Sequence, residues 1–488
     1  MIPFAYSLRK EIRVEKHGDS YIVRSDMPLN LVRVRQRAVK ILRLCDGRRT
    51  PQQIADACGA TEEQVFGICE YFNKKGVLHI GPAECNDGYS PTVTVIIPTK
   101  DRRDELAECL ESITRQDYPK EKIELIVVDD GSRDGTADLV RTFPCRLLVN
   151  TEGRGQSYCR NLAAGEANGE ILAFIDSDCV AGSAWLREIV PYFRWDKVGA
   201  VGGYVDGYFH TSALDRYEKA FSPLHMGKHV LYDNGSPSTF YTPTCNLLVR
   251  RRVYMETGGI DERMSVGEDV DFCWRMRRRG YYLLYSPSGM VKHKHRNDLG
   301  RMMKRRADYG TSEAPLYTLH REKRKMFQLP SLAAIAFLSL CIAILSFSLF
   351  PLLAAAGCFL FEAATKTLRI MRSGVHVTRR KIVFSTVRTY FSLFYFVSFH
   401  VVRYYVIFLL PLGILFPPLW PLCLFMLILS ALVDYTAKRP RLVFPVFFFY
   451  YFLDHLSYQV GVLLGCVRAG TFRSYRPGLV RKAVVCGK

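Results

Sequence analysis

The sequence lacks several features that would place it in a familiar class. It has 15 cysteines, but none lies in a Cys-x-x-Cys pair, which argues against a zinc site and against a disulfide framework. It has no internal repeat and no low-complexity segment. Its start is short and is followed at once by Arg9 and Lys10, which does not fit a signal peptide. We therefore expect free thiols in a reducing compartment and a soluble part that stays in the cytoplasm.

What the sequence does have is length, positive charge and long apolar segments. Its 488 residues are enough for two or three domains. The formal net charge is +20, which suits nucleic acid, an acidic substrate or a membrane surface. Much of this positive charge lies beside the apolar segments, and that position favours the membrane over nucleic acid.

Residues 1–85 are predicted to form a small domain of their own. Two short strands, Tyr21–Arg24 and Leu31–Val34, precede three helices and a last strand. The second helix follows the N-cap residue Thr50, and the third begins with the capping box Thr61–Gln64. This order of elements predicts a winged helix-turn-helix.

Acidic side chains in this module argue against DNA binding. The second and third helices carry Asp56, Glu62, Glu63 and Glu70, which would repel phosphates. The module resembles the PqqD-like peptide-recognition domains, which bind a precursor peptide as an added strand. The resemblance implies peptide binding, and the alternatives are a purely structural cap and DNA binding.

Strands and helices alternate after a linker at residues 81–91. The first strand is Val93–Ile97, and the alternation predicts an α/β domain with a mostly parallel sheet. A later strand, Ile171–Ile175, ends in Asp176 and Asp178. Carboxylates at the carboxyl edge of a sheet suit Mg²⁺ or Mn²⁺ beside a diphosphate. The plain alternative is a strand followed by an Asp-rich turn.

Other strand ends carry polar residues that suit a nucleotide. Asp130 can accept hydrogen bonds from a base or a ribose, and Pro98 and Thr99 give a fixed backbone turn. Arg160 can meet the base or a phosphate. Each of these is an ordinary turn residue when taken alone, so the order of the whole series carries the argument.

Taken in order, these segments resemble the GT-A fold of family 2 glycosyltransferases. The motifs are Ile97–Thr99, Val127–Ser132, Arg160–Asn161, Asp176–Asp178, Thr244–Asn246, Gly258–Glu262 and Gly267–Arg275. They cover residues 92–295, and Ile260 and Phe272 depart from the family at two apolar positions. The resemblance implies a catalytic domain at residues 91–325.

The resemblance also implies two binding sites. The residues expected to bind the nucleotide sugar are Pro98, Thr99, Asp101, Asp130, Arg160 and Asp176. Mg²⁺ or Mn²⁺ would be held by Asp178 and Asp176, and a histidine often completes such a site. We expect that histidine to be His295, with His293 as the alternative and a basic surface strand as the plain interpretation of both.

Two further carboxylates are the expected catalytic pair. Asp269 would be the general base that takes the proton of the acceptor hydroxyl, and Glu268 would orient Asp269 or the acceptor. A single base without a carboxylate nucleophile implies inversion at the anomeric carbon. The alternative is a solvated helix start, where carboxylates are favourable against the helix dipole.

Residues 329–470 are predicted to associate with a membrane. Three apolar zones, Leu329–Phe361, Phe391–Val433 and Leu442–Val467, are flanked by basic clusters. Positive charge on both sides of every zone predicts hairpins that return to the cytoplasmic face of the cytoplasmic membrane, where the catalytic domain would lie. The pair Asp454–His455 indicates either a buried polar pair or a zone that lies in the lipid interface.

The full arrangement resembles the glycosyltransferases of mycofactocin systems, a resemblance supported by the segments Val95–Arg103 and Tyr118–Pro119. It implies transfer of glucose from UDP-glucose onto a redox cofactor derived from a ribosomal peptide, which would build a β-linked glucan. One alternative is a processive polysaccharide synthase, but no Gln-x-x-Arg-Trp run follows Asp269. The other is an inactive membrane-attached peptide-binding adaptor, which the intact acidic positions argue against.

Overall fold

The computed structural model describes residues 2, 4–26, 29–83, 88–233, 239–323 and 325–480. Residues 84–87 of the predicted linker lie outside these ranges. The strands, in chain order, are β1 Phe4–Leu8, β2 Arg13–His17, β3 Ser20–Asp26, β4 Leu29–Val34, β5 Leu78–Pro82, β6 Val93–Thr99, β7 Ile123–Asp129, β8 Arg146–Val149, β9 Ile171–Ile175, β10 Cys179–Ala181, β11 Val198–Gly202, β12 Val205–Gly207, β13 Leu231–Asp233, β14 Asn246–Arg250, β15 Tyr282–Tyr285, β16 Val291–His293, β17 Met326–Gln328 and β18 Gly478–Val480.

The helices are α1 Gln36–Leu44, α2 Pro51–Cys58, α3 Glu62–Lys74, α4 Arg103–Thr114, α5 Thr136–Val140, α6 Gln156–Glu166, α7 Trp185–Ile189, α8 Ala213–Phe221, α9 Arg251–Thr257, α10 Glu268–Arg278, α11 Leu299–Thr311, α12 Glu313–Leu319, α13 Ser331–Ser346, α14 Phe350–Arg372, α15 Arg379–Tyr404, α16 Val406–Leu415, α17 Leu419–Lys438 and α18 Phe444–Arg468. The chain divides into two compact units. The first unit contains the chain up to Arg9, Lys40–Asp298 and Leu319–Lys323, and the second contains Lys10–Val39, Leu299–Thr318 and the chain after Lys323.

An eight-stranded sheet forms the centre of the first unit, in the order β13-β15-β11-β14-β9-β6-β7-β8. Strands β9, β6, β7 and β8 run parallel to one another, so their carboxyl ends meet at one edge. The α/β class predicted from the sequence is confirmed. The sheet itself is mixed, because β14 runs antiparallel to both β9 and β11.

The core of the first unit explains why α10 starts at this edge of the sheet. Phe174 of β9 lies in one buried cluster with Cys159 and Ala163 of α6 and with Phe272 and Met276 of α10. Strand β9 is apolar and buried at every position, as a strand covered on both faces requires. Packing of the apolar face of α10 against this core holds its first turn, which carries the predicted catalytic carboxylates.

The first unit also includes part of the predicted N-terminal domain. The predicted N-cap at Thr50 and the predicted capping box at Thr61 both form, and Thr50 also makes a capping box with Gln53. Strand β1 pairs with β5, and the rings of Phe4 and Phe66 lie 6.0 and 5.3 Å from the ring of Trp195. These aromatic contacts fit the assignment of β1 and α3 to the same compact unit as the eight-stranded sheet.

The remaining strands of the predicted N-terminal domain belong to the second unit. They form a separate sheet in the order β2-β3-β4, and the two predicted strands lie within β3 and β4. The units therefore cut across residues 1–85, and the PqqD-like domain stays a prediction. Because β3 is paired on both sides, an added peptide strand could reach this sheet only at β2 or β4.

The rest of the second unit is helical. Helix α13 packs against α14, α17 packs against α15 and α16, and α11 packs against α18. Helices α11 and α18 approach each other very closely at two glycines of α18. A Cβ atom added at Gly461 would clash with the backbone oxygen of Ala307, and one added at Gly465 would clash with that of Thr311. By length and composition, α15 and α17 could each cross a membrane.

Buried ion pairs join the helices of the second unit. Asp454 of α18 accepts hydrogen bonds from Arg306 of α11 at 2.9 Å and from Arg403 of α15 at 3.1 Å. His455 is also buried, with its Nδ1 atom 3.5 Å from the Arg403 guanidinium. Of the two interpretations of Asp454–His455, the structure supports a buried polar pair.

Candidate active site

The candidate site lies where β6, β7 and β9 end and α10 begins. Thr99 is the last residue of β6, Asp130 follows β7, and Asp176 follows β9. Parallel strands that end together bring these side chains to one edge, and α10 adds Glu268 and Asp269 in its first turn. Most of the residues predicted from the sequence are therefore gathered in one place.

Asp130 is buried and holds the glycine turn before α6. Its Oδ1 atom accepts a hydrogen bond from Asn150 at 2.5 Å, and its Oδ2 atom accepts one from the Gly155 backbone at 2.9 Å. Gly155 has a φ of +92°, which favours glycine because it has no Cβ atom. Asp130 thus shapes the wall of the site, and direct contact with a nucleotide stays a prediction.

Residues at the end of β6 form a second wall. Pro98 lies opposite Val128 of β7, and Thr99 is buried. Asp101 lies just beyond the strand in a left-handed conformation, with a φ of +48°. Its carboxylate accepts a hydrogen bond from the Arg133 backbone at 2.7 Å, which ties the loops after β6 and β7 together.

Arg160 connects the strand edge to the first turn of α10. Its side chain is buried, with one Nη atom 2.6 Å from Asp176 and the other 3.4 Å from Glu268. Gln156 donates a second hydrogen bond to Glu268 at 2.8 Å. Burial is acceptable for this guanidinium because two carboxylates surround it. Arg160 therefore orients the acidic residues. Its predicted contact with the base or a phosphate stays a prediction.

Asp269 differs from its acidic neighbours. It is half-buried, and its Oδ1 atom accepts a hydrogen bond from the Val270 backbone at 2.8 Å. Burial and the adjacent charge of Glu268 raise the pKa of Asp269 to about 7. A carboxyl group with this pKa is partly ionised at neutral pH and can accept a proton during a reaction, as a general base must.

Asp178 and His293 form the best candidate metal site. Strand β10 pairs with β16 so that Cys179 lies opposite His293, and this register brings His293 Nε2 to 3.6 Å from Asp178 Oδ1. The possible ligand atoms of Asp178, Cys179 and His293 all lie within 4.8 Å of one another. Burial alone would raise the pKa of Asp178. The positive charges of His293 and Arg102 have the larger effect, so the pKa of Asp178 lies below its ordinary value.

These donors fit Mg²⁺ or Mn²⁺ in part. A carboxylate and an imidazole suit Mn²⁺, and the hydrogen bond from Arg102 to Asp178 shows that this carboxylate already attracts a cation. Burial raises the pKa of Cys179 well above its ordinary value, so its sulfur stays a thiol and is unsuited to a hard ion. Asp178 and His293 are thus the protein ligands that the geometry supports.

His295, the predicted ligand, is not among the three residues whose possible ligand atoms lie together at Asp178. Strand β16 ends at His293, and the backbone then turns, with the His295 N–H donating to the His293 carbonyl. The His295 Nε2 atom lies 3.1 Å from Asp215 of α8. The sequence could not separate the two histidines, because the choice depends on where β16 ends and on its register with β10.

Sequence reasoning also missed two residues that lie near the predicted ones. Arg102 was not singled out, although it directly follows Asp101 and binds Asp178. His320 lies far along the chain, and its Nε2 atom is 2.8 Å from Asp271 of α10. Arg275 holds the other oxygen of Asp271 at 2.7 Å, so the third carboxylate of this turn anchors the helix. No local motif marks His320.

Comparisons with known proteins agree with this arrangement. Residues 94–258 match the family described as glycosyl transferase family 2. Glycosyltransferase AglE of Haloferax volcanii is 30% identical over 256 residues, which cover 51% of this chain and 82% of AglE. The pre-mycofactocin glycosyltransferase of Mycobacterium tuberculosis is 28% identical over 329 residues, which cover 66% of this chain and 65% of that protein.

A solved structure with some likeness is mannosyltransferase PcManGT from Pyrobaculum calidifontis, in complex with GDP-Man and Mn²⁺. It is 22% identical, with a TM-score of 0.37, and the match covers 62% of this chain and 85% of PcManGT.

Proposed function

The chain belongs to glycosyltransferase family 2, and we propose that it transfers a hexose from a nucleoside-diphosphate sugar with inversion at the anomeric carbon. The observation that carries this proposal is Asp269 in the first turn of α10, whose pKa is raised to about 7 by burial and by the adjacent Glu268, the carboxylate that Arg160 binds together with Asp176. Such a group can take a proton at neutral pH, while its neighbours remain bound to Arg160.

The proposed reaction needs one proton transfer and one displacement. Asp269 accepts the proton of an acceptor hydroxyl as that oxygen bonds to the anomeric carbon of the sugar. The bond from this carbon to the diphosphate breaks on the opposite face, and the nucleoside diphosphate leaves with the electron pair. Glu268, held by Arg160 and Gln156, keeps the first turn of α10 in position.

Charge on the leaving diphosphate requires positive groups close to Asp178. We propose that Asp178 and His293 hold Mg²⁺ or Mn²⁺, which when bound would neutralise that charge. Arg102 supplies a protein cation at the same point. Asp176 stays with Arg160 in this proposal and supports the site from the side of the strand.

We propose UDP-glucose as the donor and a peptide-derived redox cofactor of the mycofactocin type as the acceptor, with a β-linked glucan as product. Two observations support this choice. The first is the 28% identity to the pre-mycofactocin glycosyltransferase. The second is the sheet β2-β3-β4, where an extended peptide can add as a strand, as PqqD-like domains allow.

The proposed peptide edge is β2, since β3 is covered on both sides and β4 packs against α15. Two neighbouring proline substitutions test it, Val14→Pro and Glu15→Pro. Successive backbone N–H groups of a strand point to opposite sides. One of the two prolines therefore removes an N–H group that points away from the sheet, and the other removes an N–H group that points towards β3. We expect the outward variant to raise the KM for the acceptor while hydrolysis of the sugar donor is unchanged. An unchanged KM in both variants would exclude this edge.

We propose the cytoplasmic membrane as the location of the protein, with lipid as a partner of the helical region and the catalytic unit on the cytoplasmic side. The apolar helices α15 and α17 support this assignment, together with the basic residues at the start of α15 and at the end of α17.

The experiment that tests the proposed activity is a donor screen with the full chain in detergent. Radiolabelled UDP-glucose, UDP-galactose and GDP-mannose are incubated with Mn²⁺, and hydrolysis or transfer is measured. We expect UDP-glucose to be used best, and the released or transferred sugar to have the β configuration. A folded protein that uses none of these donors, or a product with retained configuration, would contradict the proposal.

A further inference from the structure

One helical hairpin of the second unit ends in exposed apolar residues. It joins α13 to α14 through residues 347–349. Phe347 is 75% exposed, Leu349 80% and Phe350 78%. A patch of large apolar side chains at the end of a hairpin is unfavourable in water and marks a surface that another phase or partner covers.

A second hairpin, between α16 and α17, has the same character. Its turn is formed by residues 416–418, and Ile414 and Leu415 next to it are 75% and 82% exposed. An exposed apolar stripe continues along one face of α17, at Trp420, Leu424, Ile428 and Leu432. Residues spaced by four lie on one side of a helix, so the apolar surface extends from the turn along the whole arm.

Basic residues lie in the last turns of α14 and α17, at the ends of these helices away from the two apolar turns. Helices α14 and α15 pack together and are joined by a short turn, which makes them antiparallel neighbours. The basic residues at this other end are Arg369, Arg372, Arg379, Arg380, Lys438 and Arg439. Apolar tips at one end and cations at the other are complementary to one leaflet, with its acyl chains inside and anionic headgroups outside.

The arms are too short to carry the tips through a bilayer. Helix α13 has 16 residues, which corresponds to about 24 Å at 1.5 Å per residue. The uncharged part of α14, Phe350–Phe361, gives about 18 Å, and that of α17, Leu419–Val433, about 22 Å. The hydrocarbon core of a bilayer is about 30 Å thick, so the first charged residues would reach the headgroups before a tip reached the far side.

We propose that the two hairpins are re-entrant: they enter the membrane from the cytoplasmic side, end within the acyl chains and return. The tips 347–350 and 414–418 lie deep in the bilayer, and the basic ends bind anionic headgroups. The proposal builds on the proposed membrane location and is independent of the sugar chemistry. It also means that α15 and α17 do not cross, although their length and composition allow it.

The native Trp420 is a probe for the depth of the second tip. The full chain is bound to vesicles of phosphatidylcholine and phosphatidylglycerol that carry bromine at chosen acyl positions, and the difference in fluorescence from Trp420→Phe gives the quenching of this one residue. Leu349→Trp in the Trp420→Phe protein reports on the first tip. We expect bromines deep in the acyl chains to quench both tips more than bromines near the headgroups.

Iodide trapped inside the vesicles separates a re-entrant tip from a crossing helix. We expect trapped iodide to quench neither tip. Quenching by trapped iodide, or the absence of quenching by any brominated lipid, would overturn the proposal. The Asp269→Asn protein should give the same quenching, so a failure here is distinguishable from a failure of the proposed activity.

A charge variant tests the same inference without fluorescence. Leu349→Lys combined with Leu415→Lys is expected to weaken vesicle binding at least about tenfold, since lysine is costly within the acyl region. Val149→Lys is the matched control, because Val149 is an exposed apolar residue of β8 in the other unit. Equal binding of the two variants, with unchanged melting temperatures, would contradict the proposal.

Discussion

The two units of this protein use buried charge in opposite ways. In the first, Arg160 is shared by Asp176 and Glu268, while nearby Asp269 has no cation in hydrogen-bond contact among the described residues. In the second, Asp454 lies between two arginines, Arg306 and Arg403. A carboxylate that is paired with arginines holds helices together. A carboxylate beside another acidic group, without an arginine of its own, has a raised pKa that suits catalysis.

The variant Asp269→Asn gives the strongest test of the difference between the two units. An amide cannot take the acceptor proton, so we expect transfer to fall by about 10²–10⁴-fold while nucleotide-sugar binding is kept. The ionised form of Asp269 is unfavourable above its pKa of about 7, so the variant should also melt at a higher temperature at pH 8. Steady-state kinetics and thermal unfolding measure the two effects.

The matched control is Asp117→Asn, which removes an exposed carboxylate paired with Arg187 outside the site. It should change neither the rate nor the melting temperature. Wild-type turnover in Asp269→Asn would end the assignment of Asp269 as the base.

Asp454→Asn tests the other side of the comparison. Loss of this carboxylate leaves two buried guanidinium groups without their anion, which typically costs about 3–5 kcal/mol. We expect a large loss of stability in detergent, measured by thermal unfolding, with normal kcat for the protein that remains folded. A variant as stable as the wild type would show that Asp454 does not hold α11 and α15 to α18.

Paired histidine variants sharpen the assignment of the metal site. Because His293 lies beside Asp178 and His295 beside Asp215, His293→Ala should weaken Mn²⁺-dependent UDP binding at least about tenfold, and His295→Ala should not. Titration calorimetry with UDP and Mn²⁺ measures both. The reverse order of effects would restore the assignment made from the sequence.

The smallest effect we predict is a pH dependence. A general base acts in its deprotonated form, and the pKa of Asp269 is raised to about 7. The rate constant kcat/KM should therefore rise by about tenfold between pH 6 and pH 8 and then level off. A profile that is flat from pH 5 upwards would mean that Asp269 has an ordinary pKa or is not the base.

Local patterns predicted much of the candidate site. The apolar strand before Asp176, the N-cap at Thr50, the capping box at Thr61 and the acidic start of α10 are each encoded within a few residues, and each formed as expected. Strand ends in a parallel arrangement then had to meet at one edge, which is why the predicted residues came together.

Features that depend on distant parts of the chain were not predictable. The choice of His293 over His295 follows from a three-residue register between β10 and β16. The contact of His320 with Asp271 spans 49 positions, and no periodicity reports it. The units also divide the N-terminal module, because Phe4 and Phe66 pack on Trp195, which sequence patterns within residues 1–85 cannot reveal.

The close contact between α11 and α18 has a practical consequence for shortening this chain. Cutting the chain before the first apolar zone would remove α18, and α11 would lose the partner that fits against Gly461 and Gly465. Arg306 would at the same time be left without Asp454. Exposed apolar residues of the hairpins are therefore better replaced with polar ones in place than removed by cutting the chain.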